Sequence, residues 1–220
     1  MGKVLVWDLP LRLFHWVLVL LVATSVVSAE IGGNAMQIHM LSGYTILTLV
    51  LFRILWGFLG GTHARFASFV RGPAAVIAYL GALRRKDASG HLGHNPAGAW
   101  SVVLMLAVLL VQAGTGLFSN DDIATEGPLA KLVSKDLSDR ITSVHHFNST
   151  LLFVLIGLHL SAVAYYFFYK RENLVKPMFT GFKESRTGES ARHRGSTWLA
   201  ALLLAACAGG VYVLVTRLGA

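Results

Sequence analysis

The sequence predicts an all-α membrane protein: a four-helix transmembrane bundle with a fifth transmembrane helix appended at its C-terminal end. Three observations carry that prediction. Hydrophobic residues make up 55% of the 220 and charged residues only 14%, with a mean hydropathy of +0.61, well above the range of water-exposed domains. The apolar residues collect in five long runs. The basic residues collect between alternate pairs of those runs.

The spans run from Leu11 to Ala29, His39 to Phe58, Ala99 to Phe118, Ile141 to Phe168 and Trp198 to Val215. Each meets or nearly meets the ~20 residues that cross ~30 Å of hydrocarbon, and the fourth is long enough to tilt or project beyond it. An isolated apolar span must satisfy its own backbone, so all five are read as helices. The first begins behind Trp7, Asp8, Pro10 and Arg12 and is followed at once by a second, so it is read as a retained helix rather than a cleaved leader. Residues 1–183 are expected to form the core unit, and residues 184–220 a linker with the extra helix. The segment Pro73 to Leu83 is too short to span and reads as an interfacial helix.

Lysine and arginine set the orientation. Lys3 and Arg12 precede span one; Arg65, Arg71, Arg84, Arg85 and Lys86 lie between spans two and three. Lys170, Arg171, Lys176, Lys183, Arg186, Arg192 and Arg194 lie between four and five. The connection between spans three and four carries Asp121, Asp122, Glu126, Asp136 and Asp139 against Lys131, Lys135 and Arg140. The positive-inside rule then puts the N-terminus in the cytoplasm and the C-terminus outside. The net charge of +8 is a matter of topology, and nucleic acid is not an expected partner. The single cysteine, Cys207, excludes a disulfide within the chain, a cysteine-ligated iron–sulfur cluster and a C-x-x-C-H haem attachment.

Any cofactor must therefore be held by histidine or without covalent bonds, and the histidines sort by depth. His15 lies near the cytoplasmic end of span one and His39 at the outer end of span two. Span four runs inward, with His145 and His146 at its outer end and His159 further in. His145 and His159 are 14 residues apart, which is ~21 Å of rise and within ~40° of one face; His146 points ~140° away from His159. His15 matches the depth of His159, and His39 that of His145. Such couples, one near each membrane face, are the arrangement that holds two b haems, each iron taking an imidazole from either side. Ionisable groups at these depths are costly and by default functional.

Two details add to this. Gly43 follows His39 by one turn and Ser149 follows His145 by one turn, leaving room for a flat macrocycle. Arg53 lies 14 residues after His39, at the inner level, where a guanidinium either pairs with haem propionates or snorkels to the headgroups. His146 is the competitor of His145. His63, His91 and His94 fall in the basic inner connection and read as solvated or interfacial, and His193 belongs to the tail. Gly209 and Gly210 read as a close helix-packing face, and Cys207 as a buried inert thiol.

These residues also carry a resemblance. The stretches WDLPLRLFHW, QIHMLSGY followed by LFRILWGFLG, ARFASFV, GHNPAGAW, VQAGTGLFSNDD, VHHFNSTLLFVLIGLH and KRENLVKPMFTG resemble the bacterial cytochrome b561 and nickel–iron hydrogenase b-type cytochrome family, which includes the membrane cytochrome of formate dehydrogenase. The likeness covers nearly everything up to residue 183. It implies a four-helix core with two b haems, His15 with His159 on the inner and His39 with His145 on the outer. His146 stands where many members carry an acidic residue.

The expected function is electron transfer across the membrane between a periplasmic redox partner, either a c-type cytochrome or a dehydrogenase or hydrogenase subunit, and quinone. Quinone is the electron carrier dissolved in the same lipid, and the resemblance places it at the inner haem near GHNPAG, with His94 and Asn95 as candidate contacts; the alternative is that His94-Asn95-Pro96 simply starts span three. The acidic outer connection is a candidate docking surface. Two rival readings are a superoxide:quinone oxidoreductase, which favours a cationic outer funnel, and a histidine-based metal-ion transporter. The second usually needs intramembrane carboxylates, and only Glu30 at a membrane end offers one.

Overall fold

The computed structural model describes residues 2–83, 92–123, 125–185 and 195–218. Arg84, Arg85, Lys86, His91, Arg186, Arg192, His193 and Arg194 lie outside the described residues. A strand β1 (Gly2–Leu5) leads into α1 (Leu9–Ile31), and a 3-10 turn at Gly33–Ala35 leads into α2 (Met36–Leu59). Two short helices, α3 (Phe66–Phe69) and α4 (Pro73–Ala82), precede α5 (Pro96–Gly116). Then come α6 (Lys135–Phe168), α7 (Val175–Thr180), a strand β2 (Phe182–Ser185) and α8 (Thr197–Arg217). Helices α1, α2, α5, α6 and α8 are the five long enough and apolar enough to cross a membrane.

Local chemistry sets their starts. Asp8 caps α1, accepting from the Leu11 amide at 3.0 Å, and Pro10 occupies its first turn. Asn95 caps α5, accepting from the Gly98 amide at 2.7 Å, with Pro96 following. Asn95 thus does start the third span, and its amide nitrogen also donates to the Tyr166 hydroxyl at 3.1 Å. Ser134 and Ser196 cap α6 and α8. The 34 residues of α6 make a rod of ~51 Å, so its first two turns stand clear of a ~30 Å hydrocarbon layer.

The helices pack as two pairs, α1 with α2 and α5 with α6, joined through α2 against α5, while α8 lies along α2. Helix α2 is central: Val50 and Trp56 are fully buried, and so is most of its inner half. Among the described residues α6 has no extended contact with α1 or α2. That leaves a crevice between the α1–α2 pair and α6. Cys207 is a free, buried thiol on the core side of α8. Gly209 and Gly210 are exposed, and a Cβ added to either would meet nothing within 4 Å, so the small-residue face of α8 is not the packed one. The buried side instead carries Ala200, Cys207 and Val211.

The two ends differ. At one, β1 pairs antiparallel with β2, from Gly2 opposite Ser185 to Leu5 opposite Phe182, so the N-terminus and the chain after α6 share a face. His94 belongs to this end and is not solvated: its ring is 4.6 Å from Trp7 and 4.6 Å from Phe69. At the other end, Leu129 packs with Leu47, Leu117 and Val211, so the last turns of α8 reach the connection between α5 and α6. There Asn120 is the hub, its side-chain amide donating to Ser138 Oγ at 2.6 Å and Asp139 Oδ1 at 2.9 Å.

Two expectations follow. A Cβ on Gly127 would lie 2.4 Å from the Leu117 carbonyl oxygen and 2.5 Å from that of Gly116, so Gly127→Ala should destabilise the protein by ~1–3 kcal/mol, while Gly209→Ala should stay within ~0.5 kcal/mol, both read by thermal unfolding in detergent. Burial, then Arg53, His63 and His159 nearby, hold the His94 pKa down at about 3. Its neutral form therefore contributes stability in full above the ordinary histidine range, and that contribution is lost as pH falls. Stability should fall on acidification below ~6.5, by at most about 1.4 kcal/mol per pH unit, read as a falling melting temperature, and His94→Phe should remove that part of the slope.

Candidate functional site

Of the sequence-derived site residues, His39 and His145 are brought together across the bundle from α2 and α6. Their ring centres are 6.2 Å apart and their planes are nearly perpendicular, at 81°. The His39 Nδ1 lies 2.9 Å from the carbonyl oxygen of Ser25 on α1, with Ser25 Oγ at 3.1 Å. The His145 Nδ1 lies 3.0 Å from the carbonyl oxygen of Gln112 on α5, with Thr115 Oγ1 at 3.1 Å. A carbonyl oxygen only accepts, so both Nδ1 atoms carry the hydrogen and both Nε2 atoms present a lone pair. Fixing one ring nitrogen on a carbonyl so that the other can bind metal is the usual support of a histidine ligand.

The distance fits as well. Two imidazoles on opposite sides of one metal, with bonds of roughly 2.0 Å and about 1.1 Å from nitrogen to ring centre, have centres about 6 Å apart. The His145 Nε2 accepts from Gln112 Nε2 at 3.0 Å, and Asn148 Nδ2 donates to Gln112 Oε1 at 2.7 Å and to the Val108 carbonyl at 3.0 Å. Gln112 is thus the group that a metal at His145 would have to displace. A turn from His39, a Cβ on Gly43 would meet nothing within 4 Å, leaving space for a flat group. His146 is exposed, whereas His145 is half-buried and is the one whose ring lies near His39.

The end of the bundle that carries His15, Arg53 and His159 is organised differently. His159 acts electrostatically on His15, so the two share one neighbourhood, but His15 Nδ1 is buried without a hydrogen-bond partner. Arg53 is only 2% exposed, which excludes snorkelling to the headgroups. Its guanidinium lies 5.1 Å from the Phe66 ring centre, and both terminal nitrogens are buried without partners, as is His94 Nδ1. Buried polar atoms are nearly always paired, and leaving one bare costs ~1–3 kcal/mol. Several such atoms at one end of the bundle fit a site for an anionic group. Asp8 is the charge nearest to hand. Burial raises its carboxyl above the usual range, against which the Leu11 amide, the Trp56 indole at 3.2 Å and Arg53 all act. Among the described residues no three or more His, Cys, Asp or Glu side chains converge as a dedicated metal cage would.

Sequence reasoning missed Ser25, Gln112, Thr115 and Asn148, which aim the outer histidines, and Asp8 and Trp56, which flank Arg53. The available signal was the presence of Gln112 and Asn148 inside apolar spans, where polar side chains need a reason. Glu30 lies in the last turn of α1.

A profile of the prokaryotic cytochrome b561 family matches residues 6–181. The chain is 28% identical over 221 aligned positions to a protein of Azotobacter vinelandii described as "Probable Ni/Fe-hydrogenase B-type cytochrome subunit", covering 83% of this chain and 90% of that one. A protein of the same description from Azotobacter chroococcum mcd 1 is 27% identical over the same shares. A third, from Rhizobium leguminosarum bv. viciae, is 21% identical over 81% and 88%. No solved structure matches. With the profile spanning most of the chain, both histidine couples included, the protein is a member of the prokaryotic cytochrome b561 family.

Proposed function

We propose that this chain binds two b haems and carries electrons across the bacterial inner membrane, between a redox protein on the outer side and quinone in the lipid. The observation that carries this reading is the 6.2 Å opposition of His39 and His145, each with Nδ1 tied to a carbonyl. Haem iron supplies a one-electron centre that cycles between ferric and ferrous states. The protein supplies the rest. His39 and His145 hold the outer iron, and His15 and His159 the inner; Gly43 leaves room beside the outer macrocycle. Arg53 and His94, whose buried nitrogens have no hydrogen-bond partner, would hold the propionates of the inner one.

The dihaem unit is residues 1–183, and residues 184–220 append the linker and α8. The basic face, where β1 meets β2, lies in the cytoplasm, and the acidic connection between α5 and α6 lies outside. In that connection Lys135 pairs with Asp122 and Asp139, while Glu126 and Asp136 are exposed. An acidic outer surface suits a partner with a basic docking face. Relatives described as hydrogenase subunits make a hydrogenase the first partner to test, and a c-type cytochrome the second. The same surface charge disfavours superoxide as the electron source.

Ligand variants test the reading. His15→Ala or His159→Ala should each remove one of two haems and spare the outer one; His39→Ala or His145→Ala should do the reverse, all measured as haem per protein by pyridine haemochromogen. His146→Ala should retain both. Loss of the outer haem from His146→Ala but not from His145→Ala would refute the assignment. Association with a partner at the outer face should weaken steeply with salt, by roughly tenfold or more between low and moderate ionic strength.

A further inference from the structure

The outer histidines are each aimed by a carbonyl from a neighbouring helix, but His15 is not: its Nδ1 is buried and unpaired. Nor do the helices that carry the inner couple pack along one another; α1 lies on α2, and α6 lies on α5. Something else must fix the distance between them. The residue next to His15 supplies it. Trp16 Nε1 donates to the Met178 carbonyl at 3.1 Å, and its ring stacks on Phe179 with centres 4.4 Å apart. One turn earlier, Arg12 Nη1 donates to the Phe179 carbonyl. The amides of Val6 and Trp7 donate to the Gly181 carbonyl at 2.9 and 3.1 Å.

These acceptors are the last carbonyls of α7 and the residue that ends it, groups a helix cannot satisfy internally. Gly181 stops α7 in the left-handed region at φ 84. A Cβ there would lie 2.9 Å from the Trp7 carbonyl oxygen and 3.0 Å from Leu5, so the N-terminal arm closes on bare backbone. From the other side, the chain leaving α6 is stiff. The Glu172 amide returns to the Tyr166 carbonyl at 3.0 Å, Glu172 pairs with Lys183 at 2.5 Å, and Asn173 Oδ1 accepts from the Val175 and Lys176 amides at 3.0 and 2.9 Å. A continuous, hydrogen-bonded path therefore runs from the end of α6, through α7, to the turn of α1 that bears His15.

We propose that Arg12 and Trp16 are positioning residues for the inner haem. By clamping the carbonyls of Met178 and Phe179 they set the gap between α1 and α6, and so the reach of His15 toward His159. This rests on the two-haem reading above. It explains why His15 needs no carbonyl of its own, and it assigns a role to the meeting of the WDLPLRLFHW and KPMFTG stretches, which are 162 residues apart at Trp16 and Met178. The effect is confined to the inner site, because the partners of His39 and His145 lie on α1 and α5 at the other end.

The test uses the full chain in membranes. Trp16→Phe keeps the ring stack and removes only the N–H donor; Arg12→Ala removes the second donor; Arg12→Lys retains a donor. Haem content, the low-spin electron paramagnetic resonance signals and the two midpoint potentials are read separately for the inner and outer haems. The expected result is roughly tenfold weaker retention of the inner haem in the double variant, with its resonance signal and potential shifted, the outer haem unchanged, and recovery with Arg12→Lys. Faster hydrogen exchange at the Val6 and Trp7 amides should accompany it. Equal loss of both haems would show a merely structural contact and overturn the proposal, as would an unaltered inner signal in the double variant. Failure of the two-haem reading would look different: His15→Ala would leave the haem content of the wild-type chain undiminished.

Discussion

The structure depends on two imidazoles facing each other across a crevice that the helices themselves do not close. Helix α6 packs on α5 and stands off from α1 and α2, and His39 and His145 reach across that interval to 6.2 Å. An imidazole in a lipid-embedded bundle is costly unless its nitrogens are used. Here one nitrogen of each ring is spent on a carbonyl of the adjacent helix, of Ser25 on α1 and of Gln112 on α5. The other is left with a lone pair between the helices, which for His145 is met by the Gln112 side-chain amide at 3.0 Å. Helix packing, tautomer and ligand geometry are one constraint seen at three scales.

The end that carries His15 and Arg53 meets the same constraint with less symmetry. Its polar atoms are more deeply enclosed and less satisfied: Arg53, His15 and His94 all hold bare nitrogens inside the protein. A buried guanidinium is tolerated only with charge or hydrogen-bonding partners, and Asp8, also engaged with Trp56 and the start of α1, is one partner for a group with several donors. An anionic group bound at this point would complete the electrostatics, as the two-haem proposal requires. The surrounding strand pair and short helices pack over the site where the outer end has an acidic connection, so the two faces of the protein offer different access to water and to partners.

Much of this was legible in the sequence, and the residues show why. The five spans follow from hydropathy alone, and Asn95-Pro96 announced the start of α5 through cap chemistry. The depth and facing of His145 and His159 follow from the 14-residue spacing on one helix, and the relation of His39 to Arg53 likewise. What stayed hidden is contact between elements. Nothing local says that Gln112 and Asn148 form a chain at His145, or that His94, read as solvated or interfacial, is wedged between Trp7 and Phe69. Gly209 and Gly210 misled for the same reason: small residues permit close approach without requiring it, and α8 turns its other side to α2.

The most direct measurement is the number and spin state of haems in the purified, fully assembled chain, obtained by combining haem and protein assays with low-temperature electron paramagnetic resonance. The account predicts two non-covalent b haems per chain, both six-coordinate and low-spin with nitrogen on either side. A single haem, a high-spin five-coordinate centre at the His39–His145 couple, or a colourless protein carrying another metal would contradict it.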